Sequence, residues 1–202
     1  MPEHAHETTG SRPRIEGERE AEVLDATLAV LAEVGYDRLT MDAVASAARA
    51  GKATLYRRWS SKQALVMDAI CSQKSEHSLP DTGNVRDDLI ALHCGLGGFG
   101  NAQGLSVLGA VLTAMATDQE FAAAWRRDYV GPKLAASRTV LERARDRGEI
   151  SADADLDLLS PALAGIVLHR VFILGDKATP ELVVRVIDQI ILPALTHGST
   201  RS

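Results

Sequence analysis

The chain has 202 residues, 46% hydrophobic and 24% charged, which is enough to bury one or two real cores and excludes a disordered, collagen-like or disulfide-stapled protein. Aromatic residues make up only 4%, so the interior must be built from Leu, Val, Ile and Ala, which favours packed helices and predicts an all-α protein. The net charge of −5 is unevenly spread: seven basic residues against three acidic from Gly35 to Lys74, and twelve against sixteen from Ser75 onward, the footprint of an acidic body that offers one small basic surface to phosphates.

Residues 1–17 are polar and mixed in charge, lack the apolar run of a secretion signal, and are expected to form a disordered arm. Glu18 to Val34 places Leu24, Leu28 and Leu31 on one helical face, with acids in the first turns and Gly35 just past the end. Thr40 then caps a short helix whose apolar face is Met41, Val44, Ala45 and Ala48. After Arg49-Ala50-Gly51 a third short helix is expected from Lys52 to Trp59, and a fourth from Lys62 to about His77 with Ser60 or Ser61 as cap. Pro80 to Gly83 breaks the chain. Five longer helices follow, at about Val85 to Phe99, Gly104 to Thr117, Gln119 to Arg147, Leu156 to Leu174 and Pro180 to Leu195. Asp118 and Thr179 serve as caps and Gly148 and Gly175 as stops. The uncharged stretch Leu89 to Thr117 exceeds membrane-spanning length, but six glycines, His93, Asn101 and Gln103 interrupt it, so it is expected to form two buried helices joined by a glycine-rich loop. Cys71 and Cys94 are too distant for a metal-binding CxxC pair and fit a reducing cytoplasm.

The segment Thr40 to Leu65 contains two short helices joined by three or four residues and braced by a longer one, a helix-turn-helix. At about 100° per residue, Leu55 and Trp59 share the inward side of the third helix. Ala53, Thr54, Tyr56 and Arg57 then point outward or to the flanks, with Lys52 at the start. A small residue, a hydroxyl, a phenol and a guanidinium on one face can approach groove edges and bond to phosphates. The same face also fits a merely solvated helix with three cations in seven residues.

Gly35, Thr40, Val44-Ala45, Ala48, Thr54-Leu55-Tyr56, Trp59, Lys62 and Leu65 carry a further signal. Their combined spacing resembles the N-terminal domain of the TetR family of bacterial transcriptional repressors, over roughly residues 18–66; the remainder resembles the family in architecture only. The resemblance implies a helix-turn-helix DNA-binding domain at 18–66 and a helical ligand-binding and dimerisation domain at 67–202. It implies a homodimer that binds a palindromic operator in double-stranded DNA through paired third helices and is released by a small molecule. Lys52, Ala53, Thr54, Tyr56 and Arg57 become the DNA-reading set, and Thr40 and Lys62 phosphate anchors at helix starts, where anions are already favoured. Where the family's turn usually runs Gly-Val-Ser, this chain has Arg49-Ala50-Gly51. A positive φ at position 49 strains an arginine by about 1 kcal/mol, and Gly51 in place of a serine cap costs about a few tenths. Arg49 in turn is a candidate for one more phosphate contact.

The last two helices are apolar over more than one face. The surplus is expected to pair across a two-fold axis, with Ala162 and Gly165 allowing close approach and Ile166, His169, Val183, Ile187 and Ile190 at the seam. The Gly- and Ala-rich stretch before Thr117 is expected to leave volume inside the bundle. His93, Phe99, Met115, Phe121, Trp125 and Tyr129 are the candidate walls for a small, mostly apolar and neutral or weakly polar ligand, with Asn101 and Gln103 as further polar contacts. The stripe Phe121, Trp125, Tyr129 serves equally as plain core packing. No metal or cofactor is expected, and no motif for enzymatic catalysis is found: no glycine-rich phosphate loop, HExxH or GxSxG. The alternative is a helical protein that senses or sequesters a small molecule without regulating DNA. In either case the fourth helix is expected to be the one continuous link between the two parts.

Overall fold

The computed structural model describes residues 17–73, 78–95 and 102–197. Phe99, Asn101, the expected end of the fourth helix at His77 and most of the N-terminal arm lie outside these. Among the described residues every regular element is helical: α1 (Glu18–Arg38), α2 (Met41–Ala47), α3 (Lys52–Arg58), α4 (Lys62–Ser72), α5 (Val85–Gly95), α6 (Ala102–Thr117), α7 (Gln119–Trp125), α8 (Gly131–Asp146), α9 (Leu156–Phe172), α10 (Pro180–Val186) and α11 (Leu192–Thr196). A π-helical turn, Arg126–Val130, joins α7 to α8, and a second, Ile187–Ile191, joins α10 to α11. The two helices expected from Gln119 and from Pro180 are therefore rods, each with one wide turn. No described helix is long and apolar enough to cross a membrane.

Side-chain caps set most of the starts. Thr40, Ser61, Asp118, Asp155 and Thr179 each accept a bond from the backbone N–H three residues on, at 2.9 to 3.3 Å. Each satisfies an amide that the first helical turn leaves without a partner. Gly35, at φ 77° and ψ 169°, breaks α1 where the sequence signals an end, and the chain resumes for one turn through Arg38. That break turns Tyr36 inward, where it is buried.

Two apolar clusters hold the helices. In the first, Val23, Leu24, Leu28 and Leu31 of α1 pack with Leu65, Val66 and Ile70 of α4, and the same cluster takes in Val107, Val111 and Ala114 of α6 together with Phe121, Trp125 and Tyr129. It runs without a break across the expected domain boundary at residue 66. The fourth helix, expected as the one continuous link, is therefore not the only contact between the two parts, since α1 lies along α6 as well. The second cluster gathers α5, α8, α9 and the last rod around Leu89, Val140, Leu141, Leu163, Ile187 and Leu195. Ile187, expected at a dimer seam, is 0% exposed and serves the protomer's own core. Asp88, also buried, accepts from the Thr82 amide at 2.6 Å and the Thr82 hydroxyl at 2.8 Å, and pairs with Arg147 at 3.3 Å, pinning the segment before α5 to the end of α8.

Candidate nucleic-acid interface and adjoining cavity

Leu55 and Trp59 are fully buried and hold α3 from behind. The Trp59 indole N–H donates to Asp68 of α4 at 2.8 Å, and Arg58 turns back to Glu20 of α1 at 2.8 Å. Arg58 is thus a brace. On the other side Lys52, Ala53 and Arg57 are exposed, Thr54 is half-buried, and Tyr56 is 48% exposed. Lys52 forms an exposed ion pair with Asp42 of α2 at 2.8 Å, which raises its pKa.

The turn between α2 and α3 explains the unusual Arg49-Ala50-Gly51. Arg49 sits at φ 50°, the left-handed conformation that glycine adopts most easily. Its N–H donates to the Ser46 carbonyl at 3.1 Å, and the Ala50 N–H to that of Ala45 at 2.8 Å, the paired bonds of a Schellman ending. The Arg19 guanidinium from α1 donates to the carbonyls of Ala48 at 2.9 Å and Arg49 at 2.7 Å. These two bonds offset the strain of an arginine in a glycine position. Gly51 caps α3 with no side-chain bond, and a Cβ there would stand 3.3 Å from the Thr54 hydroxyl.

Thr40 is exposed and its hydroxyl is occupied as the cap of α2. Lys62 departs from its expected role. Its ammonium donates to the Tyr36 carbonyl at 2.9 Å and lies 4.4 Å from the centre of the Tyr36 ring, so it closes the C-terminal end of α1 instead of facing outward. The Tyr36 hydroxyl donates in turn to Asp118, the cap of α7, at 3.1 Å. Burial and the Asp118 charge push the Tyr36 phenol up, while the Phe121 N–H and the Tyr36 hydroxyl hold the Asp118 carboxyl down. A second tie stands within the π turn, where the Cys71 thiol of α4 donates to the Asp128 carbonyl at 3.8 Å.

A cavity of about 380 Å³ is walled mainly by α6, the π turn, α8 and α9. Of the candidate wall residues, His93, Trp125 and Tyr129 line this cavity. Phe121 does not: it is fully buried against the Tyr36 ring, with centroids 4.6 Å apart. Met115 packs on the first cluster instead of the cavity, because α6 turns that side toward α1. Gln103 is exposed and is not a wall residue. Trp125 and Tyr129 stack with centroids 4.1 Å apart and planes 15° from parallel, and the Lys133 ammonium lies 4.6 Å from the Tyr129 ring centre.

Lys133 and Ser137, both cavity residues, were missed by the sequence reading. The signal is the four-residue spacing Trp125, Tyr129, Lys133, Ser137. In an α-helix each such step drifts about 40°, so the set would spread over about 120°. The extra residue of one π turn removes most of that drift, which keeps all four side chains toward the same space.

A short helix pinned from behind by Leu55 and Trp59, exposed in front and preceded by a tight turn from a second short helix, defines a helix-turn-helix DNA-binding protein. Residues 23–69 match the model of the bacterial regulatory proteins of the tetR family, and residues 79–190 match the tetracyclin repressor-like C-terminal domain. The chain belongs to the TetR family of DNA-binding transcriptional regulators. It is 40% identical over 185 residues to the HTH-type transcriptional regulator Rv1556 of Mycobacterium tuberculosis, covering 90% of each chain. It is 33% identical over 183 residues to the DNA-binding transcriptional repressor TetR of Mycobacteroides abscessus, covering 90% of this chain and 96% of that one. Among solved structures, the TetR family transcription regulator SCO0332 superposes with a TM-score of 0.64 at 32% identity, over 88% of this chain and 98% of that one. Salmonella enterica GusR shares the fold with a TM-score of 0.67 at 18% identity, over 90% and 99%.

Proposed function

We propose that the chain is a ligand-responsive repressor that binds a palindromic operator as a homodimer and leaves it when a small, mostly apolar molecule fills the cavity. The exposed face of α3 carries this reading: Lys52, Ala53, Tyr56 and Arg57 are exposed while Leu55 and Trp59 on the opposite side are fully buried. A helix held rigidly from behind and exposed in front suits the major groove. Arg57, Tyr56 and Thr54 face base edges; Lys52, Arg49 and the start of α2 at Thr40 face phosphates. The repressor named in Mycobacteroides abscessus supports the sign of the regulation.

Homodimerisation is supported by α9 and the last rod. Leu158 is 67% exposed and Ile190 47%, and Ala162, Gly165, Ile166, His169 and Val183 are exposed or half-buried on the same pair of elements. A Cβ on Gly165 would meet nothing within 4 Å, so a partner helix can approach closely there.

Coupling follows from where the ties sit. Asp118 and Asp128 are bound to Tyr36 and Cys71, and Trp125 and Tyr129, on the same rod, line the cavity. A ligand that displaces the two rings displaces a rod fastened to the ends of both α1 and α4. It must bind the DNA-incompetent form better than the competent one, since equal affinity shifts nothing. The test is a gel shift on an operator selected from random DNA by the wild-type protein. Arg57→Ala is expected to lose about 1–3 kcal/mol on that site, and Arg49→Ala to lower the salt slope by about one. Unchanged affinity in both Arg57→Ala and Tyr56→Ala would overturn the reading.

A further inference from the structure

The first turn of α1 reaches α3 at both of its ends. Arg19 spans to the turn before α3, donating to the carbonyls of Ala48 at 2.9 Å and Arg49 at 2.7 Å, and Glu20, the next residue, accepts from Arg58 in the last turn of α3 at 2.8 Å. The exit of α3 is held a second time by α4, where Asp68 takes the Trp59 indole N–H at 2.8 Å. The entry has weaker means of its own. Gly51 caps α3 with no side-chain bond, and α2 carries no basic residue in its last turn to meet the carbonyls at its end. Arg19 supplies that cation from 29 residues away in sequence, and its pairing with Glu22, one helical turn on, fixes where the guanidinium points.

What these bonds hold follows from geometry. Leu55 and Trp59 lie one above the other on a single side, so they fix the depth of α3 but leave it free to roll about the line that joins them. The turn before α3 resists that roll only while its backbone keeps its shape, and Arg49 within it stands at φ 50°, where a residue with a Cβ is strained. With side chains reaching about 6 Å from the helix axis, a roll of about 10° moves a tip by about 1 Å. A hydrogen-bonding constellation tolerates only about 0.5 Å.

We propose that Arg19 is a positioning residue for sequence-specific DNA recognition: by bonding the Ala48 and Arg49 carbonyls it holds the left-handed turn, and through it the roll of α3, in the pose that reads base edges. The proposal rests on the reading of α3 as the DNA-reading helix. It also accounts for an arginine at position 49, where glycine would be unstrained: the clamp stands in for the glycine, so Arg19 matters only while position 49 carries a side chain.

Fluorescence anisotropy on the full chain tests it, with the operator selected by wild type and an unrelated duplex of equal length, each over a range of salt. Arg19→Met keeps the stem and removes the guanidinium; the side chain is 43% exposed, so no core cavity opens. The variant is expected to bind the operator about tenfold more weakly while holding the unrelated duplex within about twofold of wild type and keeping the salt slope, since non-specific binding draws on phosphate contacts alone. Measured against Arg49→Gly, so that any phosphate contact of Arg49 cancels, the further change Arg19→Met is expected to cost less than about twofold. Arg19→Lys, with the charge but not the planar fork, is expected to fall between wild type and Arg19→Met, and it carries the test should the methionine variant not fold. A salt slope lower by about one, with the unrelated duplex weakened too, would make Arg19 a phosphate contact and overturn the proposal. An equal loss in the Arg49→Gly background would overturn it as well. Wild-type operator affinity in Arg19→Met beside a loss in Arg57→Ala would remove the clamp and leave α3 as the reading helix, whereas no loss in either Arg57→Ala or Tyr56→Ala would remove both.

Discussion

His93 gives the cavity a pH signature that is measurable without any ligand. Its ordinary value of 6.5 falls to about 4 in the fold, chiefly through burial and secondarily through Lys133. Between those two values the unfolded chain binds more protons than the native one, so stability rises with pH across the window and is lost as the pH falls through it. The contribution is essentially complete above about pH 7. At about pH 5 the unfolded imidazole is nearly all protonated and the native one hardly at all, a difference of about 2 kcal/mol. Urea unfolding of wild type and His93→Gln at about pH 7.5 and pH 5 measures it, since every other titrating group cancels in the comparison. Wild type is expected to lose about 2 kcal/mol more than the variant between the two conditions, or about 4–8 °C in melting temperature for a chain of this size. If the two proteins lose stability in parallel, His93 is not held uncharged at the cavity wall.

Arg49→Gly removes a side chain from a left-handed position, relieving about 1–2 kcal/mol of strain against about 0.5–1 for glycine's backbone freedom. A small rise in melting temperature is expected, and a fall would show that glycine's backbone freedom outweighs the strain relieved. Ile187→Ala is expected to cost about 2–5 kcal/mol of fold stability by opening a core cavity while leaving the protein dimeric, whereas Ile190→Asp is expected to leave the fold intact and yield monomers. Sedimentation combined with thermal denaturation distinguishes the two, and a folded dimer of Ile190→Asp would count against the seam. Tyr36→Phe deletes the hydroxyl that reaches Asp118, at about 0.5–1.5 kcal/mol, and is expected to weaken the effect of ligand on operator affinity more than either binding event alone. Unaltered coupling, read from gel shifts with and without ligand, would remove that tie from the relay.

What the amino-acid order determined by itself was local. Thr40, Ser61, Asp118 and Thr179 cap their helices because a short oxygen side chain reaches an amide three residues on whatever the rest of the chain does. Leu55 and Trp59 point inward because helical spacing allows them no other common side, and the exposed residues of α3 were legible as what remained. Tertiary packing decided the rest. Lys62 was legible as a cation at a helix start, but its turn toward Tyr36 depends on where α1 ends relative to α4, a distance no local pattern contains. Phe121 and Trp125 stand one helical step apart and are alike in sequence; only the approach of α1 on one side gives the first ring to Tyr36 and leaves the second at the cavity. The π turn has the same origin: one wide turn is unfavourable in isolation and persists where packing on both sides of the rod demands that its faces stay in register, which is why Lys133 reaches the cavity.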